Sequence, residues 1–397
     1  MFKPFFFSEI KTMSYLRLND DCFLKLLESP YVYNIEKDEL YEVNDKAIGF
    51  LMKCNGITPN LESEGEADFI SYCLSENILE ELKEPKARKI FTKKSPEPSL
   101  RYLELQITNK CNLVCKHCYL GEAGKTDLDY ETAIKIFDEF EAMQGLRLLI
   151  TGGEAILHKR FWGINIRLPE YGFRSIMLSN GTMITKDIAE KLNVHEVQVS
   201  LDGTESGHDA IRGKGSFKKA IAGIEALKSA DIDVSVATMI HSKNTEEFED
   251  LKKIIEEMGI IEWNVDVPCS SGYLLNNADL LLPYSEAAKY MHYGFGGGSH
   301  GSINNLVCGS HLCAVTPSGK VIRCGFYPDK PLGDVREGLK TCWERMQHIK
   351  LAELDCDCEY INECKGGCRY RAELYKNVYA PDPVQCYARG VELTART

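Results

Sequence analysis

The sequence predicts an α/β fold built on a mainly parallel sheet, with a small domain before it and a cysteine-rich segment after it. Three observations predict this. Between residues 101 and 268, six short β-type runs alternate with four helical patterns. That is the order of βα units, whose crossovers lay strands parallel. Residues 30–44 hold two alternating runs joined by a polar turn. Nine of the sixteen cysteines lie beyond residue 305, where periodic segments are few.

The elements follow in order. Residues 1–90 form one small domain. Its runs 31–35 and 40–43, joined by the turn 36–39, read as a β-hairpin. Asn44-Asp45 caps a helix running to Cys54, which Gly56 and Pro59 end. Two further helices are expected over 66–75 and 76–84. The stretch 84–99 is polar and basic with three prolines, so residues 91–100 are placed in a linker. Strands are then expected over 103–108, 147–151, 175–179, 196–201, 233–239 and 262–267. Helices are expected over 130–143, 186–192, 217–230 and 245–258. The sheet of 101–268 is either open or curled into a partial (β/α)6 barrel. Residues 269–305 connect irregularly, with a Gly-rich patch at 294–301. The tail, 306–397, is expected to build its core partly on metal.

Composition narrows the class. Hydrophobic residues make up 44% and charged residues 27%, as in globular proteins. The net charge of −12 argues against nucleic-acid binding, which needs clustered Lys and Arg. No apolar run reaches the ~20 residues of a membrane span. The start, MFKPFFFSEIKTM, is a short apolar patch with no small-residue cleavage site. It does not read as a signal peptide, so a cytoplasmic protein without a membrane partner is expected. In a reducing compartment, clustered cysteines bind metal more often than they pair.

The chemistry-bearing motifs sit at strand ends. Cys111-x-x-x-Cys115-x-x-Cys118 follows the first strand. Three thiolates in one loop can hold a [4Fe–4S] cube and leave its fourth iron open to a ligand. A structural zinc site, or three unrelated thiols, are the plainer readings. The second strand ends in Thr151-Gly152-Gly153-Glu154, where glycines allow close approach and a carboxylate can hold an ammonium. The third ends in Ser179-Asn180-Gly181-Thr182. The fourth ends in Ser200-Leu201-Asp202-Gly203, with Arg212-Gly213 beyond. Each alone is a common turn. Four in register at successive strand ends point to one site.

On these motifs, residues 100–268 resemble the radical S-adenosylmethionine (SAM) enzymes. The resemblance implies that Cys111, Cys115 and Cys118 bind the catalytic cluster, whose open iron chelates the methionine of SAM. It further implies that His117 lies near the adenine and that Gly152, Gly153 and Glu154 hold the amino group. Ser179, Asn180, Ser200 and Asp202 would line ribose and methionine, and Arg212 would meet the carboxylate. Ala155 departs from the family's usual proline after Gly-Gly-Glu.

The tail resembles the SPASM extension of the same superfamily, which implies two auxiliary [4Fe–4S] clusters and three clusters in all. Cys308, Cys313, Cys324 and Cys368 would hold the first, and Cys356, Cys358, Cys364 and Cys386 the second. Cys356-Asp-Cys358 departs from the family's Cys-x-x-Cys, leaving Asp355 or Asp357 as alternatives to Cys356. Zinc ribbons are the other reading of such a tail. Cys22, Cys54, Cys73 and Cys342 read as small core residues. Cys269 follows the sixth strand and has a second reading, facing the site. Tyr273, Tyr284, Tyr290 and Tyr293 read as packing or surface residues rather than radical relays.

The segment Tyr33-Asn-Ile-Glu-Lys-Asp-Glu-Leu-Tyr-Glu-Val-Asn44 resembles the peptide-recognition element of maturases of ribosomally made peptides. That resemblance implies a winged-helix-like α+β domain that takes a leader peptide as an added strand. The alternative is a small domain that covers a barrel mouth or mediates dimerisation. The resemblances together imply a peptide maturase with a leader-bearing precursor as partner and a flavodoxin or ferredoxin as electron donor. A radical SAM enzyme acting on tetrapyrrole side chains is the runner-up. An iron–sulfur electron carrier is the rival from another class.

Overall fold

The computed structural model describes residues 14–59, 66–296, 305–307 and 309–393. The apolar start and Cys308 lie outside the described residues, as does most of the Gly-rich patch. The chain divides into two compact units, Met1–Glu97 and Pro98–Thr397.

The first unit holds six strands: β1 (Tyr15–Leu18), β2 (Cys22–Leu26), β3 (Pro30–Asn34), β4 (Glu39–Glu42), β5 (Asn55–Pro59) and β6 (Leu79–Leu82). They form two antiparallel sheets, ordered β5-β1-β6 and β2-β3-β4. The expected hairpin is β3–β4, paired from Tyr31↔Glu42 to Asn34↔Glu39. Helices span Asp45–Leu51 and Ala67–Ser75, and Asn44 Oδ1 accepts from Ala47 N to cap the first. The expected third helix is strand β6 instead. Its four residues pair with β1, and that non-local partner outweighs the helix propensity of Leu-Glu-Glu-Leu. A separate core of Leu16, Leu24, Val32, Ile48, Leu51 and Ile70 closes the unit.

The second unit is organised by one sheet. Its strands are β7 (Tyr102–Thr108), β8 (Arg147–Gly152), β9 (Arg174–Ser179), β10 (Glu196–Ser200), β11 (Asp233–Met239), β12 (Glu262–Asp266), β13 (Leu312–Val315), β14 (Lys320–Ile322) and β15 (Gly333–Asp334). Their order is β12-β11-β10-β9-β8-β7-β13-β14-β15. From β7 to β12 the sequence order never reverses, and every pair is parallel. A doubly wound sheet reverses at a switch point. Without reversal, right-handed crossovers put all helices on one face and the sheet curls around the other. This decides for the partial barrel over the open sheet.

The helices Tyr130–Ala142, Ser216–Ser229 and Phe248–Glu257 lie close to their expected places. Lys186–Ala189 is shorter than expected, and Phe161–Asn165 is a five-residue helix too short to read from periodicity. Ile136, Phe137, Phe140, Ile224, Leu227 and Leu251 bury the outer helical layer against the strands. The tail's first strand, β13, pairs parallel with β7 from Leu312↔Tyr102 to Val315↔Leu105. No described helix is long and apolar enough to cross a membrane.

Candidate functional site

The loop after β7 carries the three-cysteine motif. Its base is closed by Lys110 Nζ to Asp127 at 2.6 Å and by Thr108 Oγ1 donating to the same carboxylate at 2.7 Å. Its far side is pinned where Lys116 N donates to Ile211 O and Tyr273 N donates to Cys118 O. Cys111, Cys115 and Cys118 all line one cavity of about 720 Å³. Burial pushes the Cys115 thiol up to about 11, although the Arg212 charge opposes the shift.

The end of β8 presses on this loop. A Cβ on Gly152 would stand 2.0 Å from Thr108 O, and one on Gly153 would stand 2.3 Å from Lys110 O and 3.0 Å from Cys111 Cβ. Only glycine permits this approach, and both glycines line the cavity. Glu154 does not line it. Its carboxylate is fully buried and accepts from Ser179 Oγ and Asn180 N, each at 2.9 Å. Burial raises it to about 7 against those hydrogen bonds. One bond per oxygen leaves acceptor capacity for a further donor.

Ser179, Asn180 and Ser200 line the cavity. Asn180 Nδ2 donates to Asn112 Oδ1, Asn112 Nδ2 to Thr182 Oγ1, and Thr182 Oγ1 back to Asn180 Oδ1. This ring ties the cysteine loop to the end of β9. Asn112 had no motif to announce it. It sits between two cysteines, and only the fold gives it a partner.

Asp202 lies behind the cavity wall, fully buried. Arg212 Nε donates to its Oδ2 at 2.5 Å and Met239 N to its Oδ1 at 2.7 Å. Burial alone would raise this carboxyl, but Arg212, then His117, hold it well below the usual carboxylate range. Arg212 also reaches Cys115 Sγ at 3.9 Å and His117 Nε2 at 3.4 Å. Burial keeps His117 neutral, at about 4, over the opposing pull of Asp202. Its Nδ1 is buried without a hydrogen-bond partner. With Nε2 accepting from Arg212, Nδ1 carries the proton and is an unused donor in a cavity-lining residue. His208, His241 and Asn244 complete the shell around the Asp202 backbone.

In the tail, Cys356, Cys358, Cys364 and Cys386 come close enough for each other's charges to bear on Cys386, which burial pushes to about 12. The other expected set is split. Cys313 is fully buried in the hydrophobic core with Val315, Val321 and Cys342. Cys324 and Cys368 are electrostatic neighbours elsewhere. Cys269, whose second reading faced the site, lines the cavity, and it is an electrostatic neighbour of Cys368.

No described group of three or more His, Cys, Asp or Glu side chains is arranged to hold a single metal ion. A four-iron cube spreads its thiolates over separate irons, so its loop is wider than a mononuclear site. The donors fit such a group with SAM. Three thiols share one cavity wall, two glycines offer a close backbone, a buried donor is unused, and a buried carboxylate has spare capacity.

Residues 105–256 match the model of the radical SAM superfamily. The matched stretch spans the cysteine loop and the strand-end motifs at 151–154, 179–182 and 200–203. Among curated relatives, the AdoMet-dependent heme synthase of Nitratidesulfovibrio vulgaris is 23% identical, covering 69% of this chain and 89% of its own. The mycofactocin maturase MftC of Mycolicibacterium smegmatis is 27% identical, covering 67% of this chain and 77% of its own. Among solved structures, Streptococcus suis SuiB bound to S-adenosylmethionine shares the fold with a TM-score of 0.67. It is 13% identical and covers 93% of this chain and 99% of its own. SuiB bound to its precursor peptide SuiA matches with a TM-score of 0.64 at 12% identity, over 93% of this chain and 99% of its own.

Proposed function

We propose that this radical SAM enzyme is a peptide maturase acting on a ribosomally made precursor. The carrying observation is the first unit. Seven per cent of 397 residues, the part the SuiB match leaves uncovered, is about 28, fewer than the 97 of that unit. The shared fold therefore extends into it. Within it, β4 pairs with β3 on one side and with no other described strand. An extended leader can add to that edge through main-chain hydrogen bonds, with alternate side chains setting specificity. Binding there raises the effective concentration of the attached core peptide at the cavity.

In this reading Cys111, Cys115 and Cys118 hold the catalytic cluster. With SAM bound, that group supplies a one-electron cleavage yielding a hydrogen-abstracting carbon radical. The protein's part is positional. Gly152 and Gly153 admit the methionine backbone, and Glu154 takes its ammonium while still held by Ser179 and Asn180. His117 Nδ1–H offers a donor, and Arg212, fixed by Asp202, faces the carboxylate. The tail carries two auxiliary [4Fe–4S] clusters, and the electron comes from a flavodoxin- or ferredoxin-class donor.

The heme synthase relatives favour a second reading, tetrapyrrole side-chain chemistry. The test is anaerobic incubation of the reconstituted full chain with SAM and reductant, against candidate precursors and an iron porphyrin bearing propionates. Mass loss from the peptide supports the maturase; conversion of the porphyrin alone replaces it.

A further inference from the structure

We propose that Cys269, and not Cys313, is a thiolate ligand of the first auxiliary cluster, beside Cys324 and Cys368. The inference rests on the reading that the tail carries two such clusters, and it changes which residues hold one of them.

Strand geometry removes Cys313. It lies on β13, where side chains alternate between the two faces of the sheet. Cys313 shares its face with Val315, and Val315 pairs with Val321 of β14. Cys313, Val315 and Val321 belong to the same apolar core as Leu339, Cys342 and Trp343. The neighbouring residue Ala314 is in register with Glu104 of β7. Glu104 belongs to the other face, where its Oε1 accepts from Tyr119 OH at 3.1 Å and from Gln106 Nε2 at 2.9 Å. Gly325, next to Cys324, sits against that Tyr119 and Glu104. Cys324 thus belongs with the cavity side. Cys313 points the opposite way and has no exposed surface.

Cys269 has the complementary placement. It stands three residues past β12, lines the cavity and is an electrostatic neighbour of the Cys368 thiol. The tail is bolted to that spot. Arg371 Nη1 donates to Asp266 Oδ1 at 2.6 Å and to Val267 O at 3.3 Å, while Nη2 donates to Asp382 Oδ2 at 2.9 Å. Arg371 is three residues beyond Cys368, and Val267 is two before Cys269. One buried guanidinium therefore ties the helix that follows Cys368 to the strand end that precedes Cys269. Tyr370, two residues beyond Cys368, feels the charge of both Cys269 and Cys324. On iron binding each thiol gives up its proton and ligates as thiolate.

The full chain is reconstituted anaerobically with iron and sulfide. Iron and sulfide are counted, and the reduced clusters are recorded by EPR. Wild type is expected to hold about twelve irons, by four-iron stoichiometry. Cys269→Ala should lose between about one and four irons, as a cube losing a ligand sheds its unique iron or falls apart. One EPR component should vanish or change. Cys313→Val, which preserves core volume, should keep both the iron and the spectrum. Where Cys269→Ala fails to fold by circular dichroism, Cys269→Ser takes its place and should shift the same component. An unchanged iron count and spectrum in the Cys269 variant overturns the proposal, as does iron loss in folded Cys313→Val. About four irons in wild type overturns the auxiliary-cluster reading itself, a distinguishable failure.

Discussion

Arg212 and Asp202 form an ion pair behind the cavity wall, Nε to Oδ2 at 2.5 Å, with the Asp202 side chain wholly buried. The pair leaves Arg212 Nη1 and Nη2 free to face Cys115 and His117. Fixing a cation beside a cysteine loop in this way has a cost when one partner is removed. Asp202→Asn strands the guanidinium, and breaking a buried pair costs about 3–5 kcal/mol. Adding Arg212→Met should recover part of the loss, because no unpaired charge remains. Thermal unfolding of the two single variants and the double variant measures this coupling.

Glu154 gives a pH signature. Its carboxyl is raised from 4.5 to about 7 by burial. The folded state therefore holds a proton between those values that the unfolded state has lost. Stability from this group is present in full below 4.5 and is lost as pH rises through 7. An ammonium ligand reverses the preference by favouring the carboxylate. SAM binding near neutral pH should then release a proton. Calorimetry in buffers of different ionisation enthalpy should detect that release, and Glu154→Gln should abolish it.

Gly153 should tolerate no side chain. Gly153→Ala puts a methyl 2.3 Å from Lys110 O and near Cys111 Cβ, so the cysteine loop must shift. The expected result is a fall of about four irons per chain after reconstitution, with the tail's iron retained. Iron analysis beside the Cys111→Ala variant checks it, since the two should match.

Proline at adjacent positions of β4 should separate folding from binding. Amides alternate direction along an antiparallel strand. Of Leu40 and Tyr41, one N–H faces β3 and the other faces the open edge. Proline at the first should lower the melting temperature. Proline at the second should leave it within a few degrees while weakening precursor affinity about tenfold or more, since it removes an edge donor. Melting curves and peptide anisotropy on the full chain report the two effects. Equal affinity in both variants and wild type would remove β4 as the leader edge.

The barrel was legible because its signals are local. Residues 233–239 were expected as a strand and form β11, and 196–201 became β10, one residue shorter. Their β-branched residues and bounding turns lie within each segment. The Gly-Gly-Glu and Ser-Leu-Asp-Gly motifs fall at the strand ends where they were expected. The hidden features depend on distant partners. β6 needs β1 to be a strand, and β13 needs β7. The contacts that hold Glu154, from Ser179 and Asn180, are made between strands and its own motif does not announce them. The placements of Cys269 beside the cavity and of Cys313 in the apolar core were equally hidden, because spacing along the chain does not say which face of a sheet a thiol occupies.

The pairing of β13 with β7 also bears on how the second unit folds. β7 is the first barrel strand made, and its outer edge waits for a partner some two hundred residues later in the chain. Loop closure over that distance is entropically costly and late. Until β13 arrives, the edge of β7 is an open row of amides and carbonyls, the kind of surface that recruits other chains. A protein cut after residue 296 would carry that edge permanently. The tail is therefore the piece that seals the barrel against self-association, and shortening the chain to its superfamily core should yield aggregates rather than a smaller enzyme.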